Sequence, residues 1–182
     1  MAITTRRAVP ADAAELHELA ARTFGLATPP GTLAADIDAF VAAHLARASF
    51  EGYLADPARI LLVAEDDGTM AGYAMLVGGP IADPDLAVVV GAAVDPPGGA
   101  AIELSKFYVA AENHGSGIAA TLMTATLAAA AATGARLCWL GVNQRNARAA
   151  RFYAKHGFEI IGTKRFLVGA VWHDDHVRAR PL

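Results

Sequence analysis

The chain has 182 residues, of which 54 % are apolar and 18 % are charged, and its formal net charge is −3. This length suits a single domain spanning residues 1–182, and the apolar content excludes global disorder. The mild acidity supplies no basic surface for phosphate backbones, so no nucleic-acid partner is expected. One cysteine, Cys138, cannot form an internal disulfide or a zinc site alone. This favours a reducing, cytoplasmic setting.

The sequence gives no reason to expect a membrane partner. The two arginines near the N-terminus are not followed by an apolar segment, so no signal peptide is predicted. Residues 113–135 lack charged side chains but are rich in Ala, Thr and Gly and poor in large apolar residues. A helix packed on a sheet explains this stretch better than a membrane span.

The first half of the chain alternates between helical and strand patterns. Asp12 followed by Glu15 resembles a capping box that opens a helix, and Thr32 is placed to cap a second helix. Residues 78–99 combine prolines and glycines with an apolar run, which we interpret as a long connection with a strand-like middle. The predicted elements are a strand at 3–8, helices at 12–23 and 32–45, and strands at 59–64 and 70–77.

The second half predicts a strand–turn–helix unit followed by further strands and one helix. Asn146 is placed to cap that helix, which ends near Gly157. The element order predicts an α/β (α+β) fold with a mixed sheet of about seven strands and about four helices. The predicted elements are strands at 100–109, 136–142, 158–168 and 170–180, and helices at 116–133 and 146–157.

A glycine-containing turn lies at the centre of the predicted sheet. Gly115 and Gly117 stand two residues apart between a strand and a helix, where backbone N–H groups can approach a ligand and the helix adds its positive end. Such a turn suits a pyrophosphate held without a metal. The same pattern also fits a helix start with no ligand, and the glycines alone leave both interpretations open.

Two motifs around this turn resemble those of the GCN5-related N-acetyltransferase (GNAT) superfamily. The run His-Gly-Ser-Gly-Ile-Ala at 114–119 resembles the family's Arg/Gln-x-x-Gly-x-Gly/Ala signature, and residues 104–109 resemble its central strand. Residues 140–158 are similar to its second motif. More loosely, segments at 23–30, 139–142 and 168–175 resemble the PaiA-type bacterial polyamine acetyltransferases.

The resemblance implies an acetyltransferase that uses acetyl-CoA as cosubstrate and no metal. Backbone groups at 108–110 would pair with the pantetheine amides, and the glycine turn would hold the pyrophosphate. Asn146 would bind the cofactor arm, cap the helix, or do both. His114 departs from the family's Arg or Gln and lacks a full positive charge. The expected cofactor-binding residues are Tyr108, Val109, Ala110, His114, Gly115, Ser116, Gly117, Ile118, Ala119, Asn146 and Tyr153.

Glu103 is our candidate general base. An attacking amine arrives mostly as ammonium and must lose a proton, and a carboxylate among apolar strand neighbours would have a raised pKa suited to accepting it. The spacing of Glu103 to His114 is similar to that of the catalytic glutamate in histone-acetylating members of the superfamily. Alternatively, Glu103 binds the acceptor or pairs with Lys106 or Arg148, and a water chain removes the proton.

Tyr153 is our candidate general acid. The resemblance places its hydroxyl beside the thioester sulfur, where it would protonate the leaving thiolate. The alternative is a buried aromatic residue with a satisfied hydroxyl. We expect Cys138 to be a core residue. His173 and His176 should point to opposite sides of a strand and form no shared metal site, so we interpret residues 173–176 as a polar strand end.

The sequence therefore predicts transfer of an acetyl group to the primary amine of a small molecule, with a polyamine such as spermidine as one candidate. Acidic residues in the second helical region could attract a polyamine or could be ordinary surface charge: Asp36, Asp38, Glu51 and Asp56. Amino-acid, aminoglycoside and protein N-terminal acceptors stay open, as does a homodimer. A domain that binds acyl-CoA as a sensor without turnover is the alternative from a different class.

Overall fold

The computed structural model describes residues 2–182 and contains a seven-stranded mixed sheet in the order β1-β2-β3-β4-β5-β7-β6. Strands β4 and β5 run parallel, and the other neighbouring pairs are antiparallel. The predicted number of strands is confirmed. The strands are β1 Ile3–Arg7, β2 Arg59–Asp66, β3 Thr69–Val77, β4 Ala101–Val109, β5 Leu137–Asn143, β6 Glu159–Val168 and β7 Val171–Pro181.

Six α-helices cover the two faces of the sheet. Helices α5 and α6 lie on one face, and α1 to α4 lie on the other. None of the helices within residues 2–182 is long and apolar enough to cross a membrane. The helices are α1 Ala13–Ala27, α2 Ala34–His44, α3 Arg47–Ala55, α4 Pro84–Ala92, α5 Ile118–Ala132 and α6 Ala147–Lys155.

Alternation along each strand supplies an apolar core on both faces. On β2, Leu62 packs on the α5 face while Leu61 and Val63 pack on the α1–α3 face. Helix α5 contributes fully buried Ile118 and Leu122, four residues apart, so their side chains emerge from the same side of the helix. Burial of each such side chain stabilises the fold by about 1.5–3 kcal/mol. Cys138 is a fully buried core residue, as predicted.

A β-bulge in β4 determines which side chains of this strand lie on each face of the sheet. Met75 of β3 pairs with Lys106, and the next residue, Leu76, pairs with Leu104, so Ser105 is an extra residue with no partner of its own. The bulge shifts the alternation by one position. Glu103, Lys106 and Tyr108 consequently share the α1–α4 face, although simple alternation would have separated Glu103 from Lys106.

The segment 78–99 differs from the predicted connection with a strand-like middle because it contains helix α4. Asp83 caps this helix: its carboxylate accepts hydrogen bonds from the backbone N–H groups of Asp85 and Leu86, and Pro84 occupies the first turn. Leu86 and Val90 pack on β5 and β7. The helix was not predicted because its apolar residues are not interrupted by polar residues at the helical spacing of about 3.6.

The other corrections concern helix boundaries and caps. The predicted second helix at 32–45 corresponds to α2, whereas α3 was not predicted. Thr32 does not cap α2, because its hydroxyl donates to the Pro29 carbonyl. The capping box at Asp12 is also wrong. The Asp12 carboxylate binds Arg6 at 2.7 Å and the Val9 N–H, while Glu15 accepts a hydrogen bond from the Met70 N–H.

Candidate active site

The two parallel strands at the centre of the sheet separate after a short stretch of pairing. Ala101–Glu103 of β4 pairs with Leu137–Trp139 of β5, and beyond these residues β5 pairs only with β7 among the described strands. The β5-facing edge of β4 from Leu104 to Val109 is therefore open. A cavity of about 650 Å³ passes through this gap and is lined from both faces of the sheet.

We call the two ends of this cavity the cofactor side and the acceptor side. The cofactor side faces α5 and α6, and its main lining residues are Val109, His114, Gly115, Gly117, Ala119, Ala120, Asn146, Phe152 and Tyr153. The acceptor side faces α1 and α2, and its main lining residues are Phe24, Pro29, Phe40, Glu103, Lys106, Tyr108, Lys164, Phe166, His173 and Asp175.

The glycine turn presents backbone N–H groups to the cofactor side. Gly115 and Gly117 have φ values of 87° and 96°, in the left-handed region that favours glycine, and Gly117 is the residue that precedes α5. The Ser116 hydroxyl donates to the Asn113 carbonyl at 2.7 Å and holds the turn. First-turn amides such as that of Ala119 have no acceptor within their own helix, so they can bind an anion.

The geometry of β4 shows which of the residues 108–110 has backbone groups that face the gap. The Ala110 N–H donates to the Ala71 carbonyl at 2.8 Å, and the Ala110 carbonyl accepts from Asn113. Because both groups are already bonded, the geometry does not support pairing of Ala110 with a cofactor amide, and this role stays a prediction. Backbone direction alternates along a strand, so the backbone of Tyr108 also faces β3, whereas Val109 presents its backbone groups to the gap.

His114 contacts this same open edge. Its Nε2 lies 3.1 Å from the Val109 carbonyl oxygen, within hydrogen-bond distance. Asn113 donates from its side-chain amide to Asp66 at 3.2 Å, which ties the loop before the glycine turn to the β2–β3 hairpin. The imidazole at position 114 therefore lies between the glycine turn and the end of β4, at the mouth of the cofactor side.

Asn146 caps helix α6, which is one of the two roles predicted for it. Its Oδ1 accepts a hydrogen bond from the Ala149 N–H at 3.0 Å. Asn146 also lines the cavity, where its amide NH₂ group is a donor that the cap does not use. Its cofactor-binding role stays a prediction.

Tyr153 lies on α6 and projects towards the sheet. Its ring packs edge-on against Phe158 and Phe107, at centroid distances of 5.8 and 6.4 Å. Burial raises the pKa of the Tyr153 hydroxyl far above its ordinary value, and the neighbouring Tyr108 raises this pKa further. The hydroxyl is therefore protonated at neutral pH, which is the state a proton donor needs.

Glu103 occupies the point where β4 and β5 separate. Burial raises the pKa of its carboxyl above the ordinary value, while the nearby Lys164, Lys106 and Arg59 act in the opposite direction. Burial also lowers the pKa of Lys106 to about 8, against the attraction of Glu103. Within residues 2–182, no cation is in ion-pair contact with Glu103, so the carboxylate is close to several cations without being held by one.

A family model described as the acetyltransferase (GNAT) family matches residues 14–158. The chain belongs to the GNAT family. It is therefore an acyltransferase. Relatives named uncharacterized N-acetyltransferases from Mycobacterium tuberculosis and Mycobacterium bovis are 47 % identical over 171 residues, which cover 94 % of this chain and 98 % of each relative.

Solved structures of other GNAT proteins share the fold. A PaiA N-acetyltransferase from Thermoplasma acidophilum, in complex with coenzyme A, has a TM-score of 0.78 and 19 % identity, with both chains covered completely. NAA60 from Arabidopsis thaliana, in complex with a bisubstrate analogue, has a TM-score of 0.74 and 14 % identity over 100 % of this chain and 99 % of that one. At these identities the likeness establishes the GNAT fold alone.

Sequence reasoning missed several side chains of the acceptor side. Lys164 of β6 pairs across strands with Asp175 of β7, and the Lys164 ammonium lies 5.6 Å from the centre of the Trp139 ring. Asp175 is buried, which raises the pKa of its carboxyl, and it accepts a long hydrogen bond of 3.4 Å from Asn143. The hydroxyl of Tyr108, for which only backbone contacts were predicted, also faces this side, and burial raises its pKa to about 12.

The segment at 173–176 is only partly the polar strand end that we predicted. His173 and Asp175, two residues apart on β7, both line the cavity, whereas His176 faces the other side of the strand. Strand alternation, from which we placed His173 and His176 on opposite faces, also places His173 and Asp175 on the same face. This alternation was the sequence signal from which both cavity residues could have been predicted. Within residues 2–182, no group of three or more His, Cys, Asp or Glu is arranged to hold a metal ion.

Proposed function

We propose that this GNAT protein transfers the acetyl group of acetyl-CoA to the primary amine of a small molecule, by direct attack in a ternary complex. The observation that carries the proposal is the cavity that passes through the sheet between β4 and β5. One end offers backbone N–H groups suited to a pyrophosphate, and the other offers side chains suited to an acceptor. The two substrates would meet in the gap without an intermediate carrier.

The cofactor side fits acetyl-CoA on two independent features. Left-handed glycines at 115 and 117 and the first-turn amides of α5 form a nest for the pyrophosphate. The Val109 N–H at this open edge can donate to a pantetheine carbonyl, as it would to an added strand, while the Val109 carbonyl is already contacted by His114. Of the remaining predicted residues, Ser116 and Ile118 lie in the same turn, where the Ile118 N–H already has the Ser116 hydroxyl as an acceptor at 3.4 Å.

Protons would move through Glu103 and Tyr153. An ammonium proton passes to the Glu103 carboxylate, or to water, before the amine nitrogen forms its bond to the thioester carbon. The bond between that carbon and sulfur then breaks, and the Tyr153 hydroxyl supplies a proton to the departing thiolate. The attacking nitrogen gives up its second proton to form the neutral amide, and this proton restores the Tyr153 hydroxyl through the site or water. The raised pKa makes the Glu103 carboxylate a stronger base once it is ionised, and the raised pKa of Tyr153 keeps its hydroxyl protonated until the thiolate departs.

Spermidine is one acceptor that we propose to test. Among the acidic residues considered, Glu51 is paired with Arg47 at 2.8 Å and Asp56 with Arg59 at 2.9 Å, so these two are ordinary surface charge. Glu103 and Asp175 could attract a cationic acceptor in the cavity. However, Lys106, Lys164 and Arg148 line the same cavity and oppose a polycation. An amino acid, whose carboxylate could approach Lys164, is therefore a second candidate.

The test is release of free CoA from acetyl-CoA with a panel of acceptors: spermidine, several amino acids, an aminoglycoside and a short peptide with a free N-terminus. We expect CoA release above the rate of hydrolysis with at least one acceptor. A protein that is stabilised by acetyl-CoA but releases no CoA with any acceptor would contradict turnover and would favour the sensor alternative. Activity without spermidine turnover would remove only the polyamine.

A further inference from the structure

A second, smaller cavity adjoins the acceptor side. It measures about 210 Å³ and lies between the α1–α2 loop, the β6–β7 hairpin and the loop before α6. Three residues, Pro29, Val168 and His173, line both cavities, so the two spaces meet at these residues. The Asp36 carboxylate lines this cavity and lies against Gly169 in the β6–β7 turn, where an added side chain would have to displace it.

His173 stands at this junction with an unused hydrogen-bonding atom. Its Nε2 is buried, and it has no hydrogen-bond partner among residues 2–182. A buried polar atom without a partner is unfavourable, so such an atom beside a cavity is suited to binding a polar group that enters from outside. The imidazole nitrogen can serve as donor or acceptor according to its tautomer.

We propose that the acceptor site continues past His173 into the second cavity, and that His173 is a specificity-determining residue that hydrogen-bonds a second polar group of an elongated amine. The proposal rests on the acetyl transfer proposed above. The class of acceptor is a primary amine that carries a hydroxyl, amide or amine group several bonds from the reacting nitrogen.

The strand sets the spacing between the two polar groups. His173 and Asp175 lie on the same face of β7, and residues two apart on a strand are separated by roughly 7 Å. An acceptor whose reacting nitrogen lies in the gap near Asp175, and passes its proton to Glu103 directly or through water, would therefore place a group about five carbons away beside His173. Shorter amines would not reach the junction.

The charges around His173 do not favour one sign of ligand. Asp175 and Lys164 lie on the side of the main cavity, and Asp36 and Arg145 line the second cavity. Each side thus offers one anionic and one cationic side chain. A neutral hydrogen-bonding group is therefore sufficient to test His173 without changing the charge of the acceptor.

The experiment compares 5-amino-1-pentanol with n-pentylamine, which differ only in the terminal hydroxyl. We expect the wild-type protein to have a kcat/KM about three- to tenfold higher for the amino alcohol, the range typical of one added hydrogen bond. His173→Phe and His173→Ala should both abolish this preference. His176→Phe, on the opposite face of the same strand, should retain it.

Binding is measured in parallel as the shift in melting temperature that each amine causes in the presence of CoA. If the wild type transfers no acetyl group, the proposed function fails, and the hydroxyl-dependent shift still tests His173 directly. Equal kcat/KM values and equal shifts for the two amines in the wild type would overturn the inference. A preference that survives in both His173 variants would overturn it as well.

Discussion

The two ends of the cavity are lined by different parts of the chain. The cofactor side uses backbone groups of one continuous stretch, from Val109 through the glycine turn into α5. The acceptor side uses side chains from strands that are far apart in sequence, such as Glu103 of β4, Lys164 of β6 and Asp175 of β7. A backbone nest requires glycines at fixed positions, whereas side-chain recognition depends on the tertiary fold and can change one residue at a time.

Tyr153 lies where the two sides meet, and its replacement has the largest expected effect. Tyr153→Phe removes one hydroxyl while keeping the ring contacts with Phe107 and Phe158. We expect kcat to fall by roughly 10²–10⁴-fold, the usual range for general acid–base catalysis, with affinity for acetyl-CoA nearly unchanged. Tyr73→Phe is the matched control, because the Tyr73 hydroxyl is buried, has no partner among the described residues and does not line the cavity. An unchanged kcat for Tyr153→Phe would show that Tyr153 is a buried packing residue and not a general acid.

Glu103→Gln tests whether the acceptor side contributes chemistry or only binding. Burial raises the pKa of Glu103, so the carboxyl is protonated and unable to accept a proton at low pH, and the rate should rise as pH increases through that raised pKa. We expect Gln to remove this rising limb and to lower kcat by about 10²-fold, at the low end for a general base. The measurement is a pH–rate profile with spermidine and with a monoamine.

Two other outcomes for Glu103→Gln are informative. A rising limb that persists in the variant identifies deprotonation of the amine through water as the controlling step. A higher KM for spermidine alone, with kcat unchanged, assigns Glu103 to acceptor binding. If the profile and both KM values are unchanged, Glu103 has no active role.

Gly117→Leu tests the backbone nest of the cofactor side. Acetyl-CoA at ~100 times its Kd should stabilise the wild type by about 2.7 kcal/mol, which raises the melting temperature by a few degrees. The variant should lose this ligand-dependent shift. Gly134→Leu is the control, because Gly134 has a similar left-handed φ of 84° at the other end of α5 and therefore a similar conformational cost. Equal shifts in both variants would contradict the nest.

His114→Arg has the smallest expected effect and a favourable sign. A guanidinium at the mouth of the cofactor side carries a permanent positive charge, and it should strengthen acetyl-CoA binding a few-fold at low salt. The gain should decrease as ionic strength rises, because exposed charges are screened. Acetyl-CoA affinity measured at two salt concentrations tests this; a gain that is independent of salt would point to a cause other than charge.

The difference between the two sides also explains how far the sequence could be interpreted. The central elements β4, α5, β5 and α6 were predicted close to their observed bounds, because the glycines and the Asn146 cap mark their boundaries locally. Helix α4 was missed because its apolar residues do not follow a helical stripe: Leu86 and Val90 are buried, but Val88 is 72 % exposed.

Most lining residues of the acceptor side were not predicted, because they come together only when distant strands pair. Lys164 meets Asp175 only through the register of β6 and β7, which no local pattern specifies. The Ser105 bulge had a similar effect on β4, where alternation without the extra residue would place Lys106 and Glu103 on opposite faces. Glu103 was predicted because both signals for it are local: its apolar neighbours on the strand and its spacing to His114.

The position of β7 between β5 and β6 has a consequence for the order in which the protein forms during synthesis. The chain makes β6 before β7, yet β6 joins the sheet only through β7. When synthesis reaches Phe158, the glycine turn, the edge of β4 and Tyr153 have all been made, while the strand that carries His173 and Asp175 does not yet exist. All residues of the backbone nest are thus made before the acceptor side is complete, and the late, long-range pairing of β7 is a slow kind of contact.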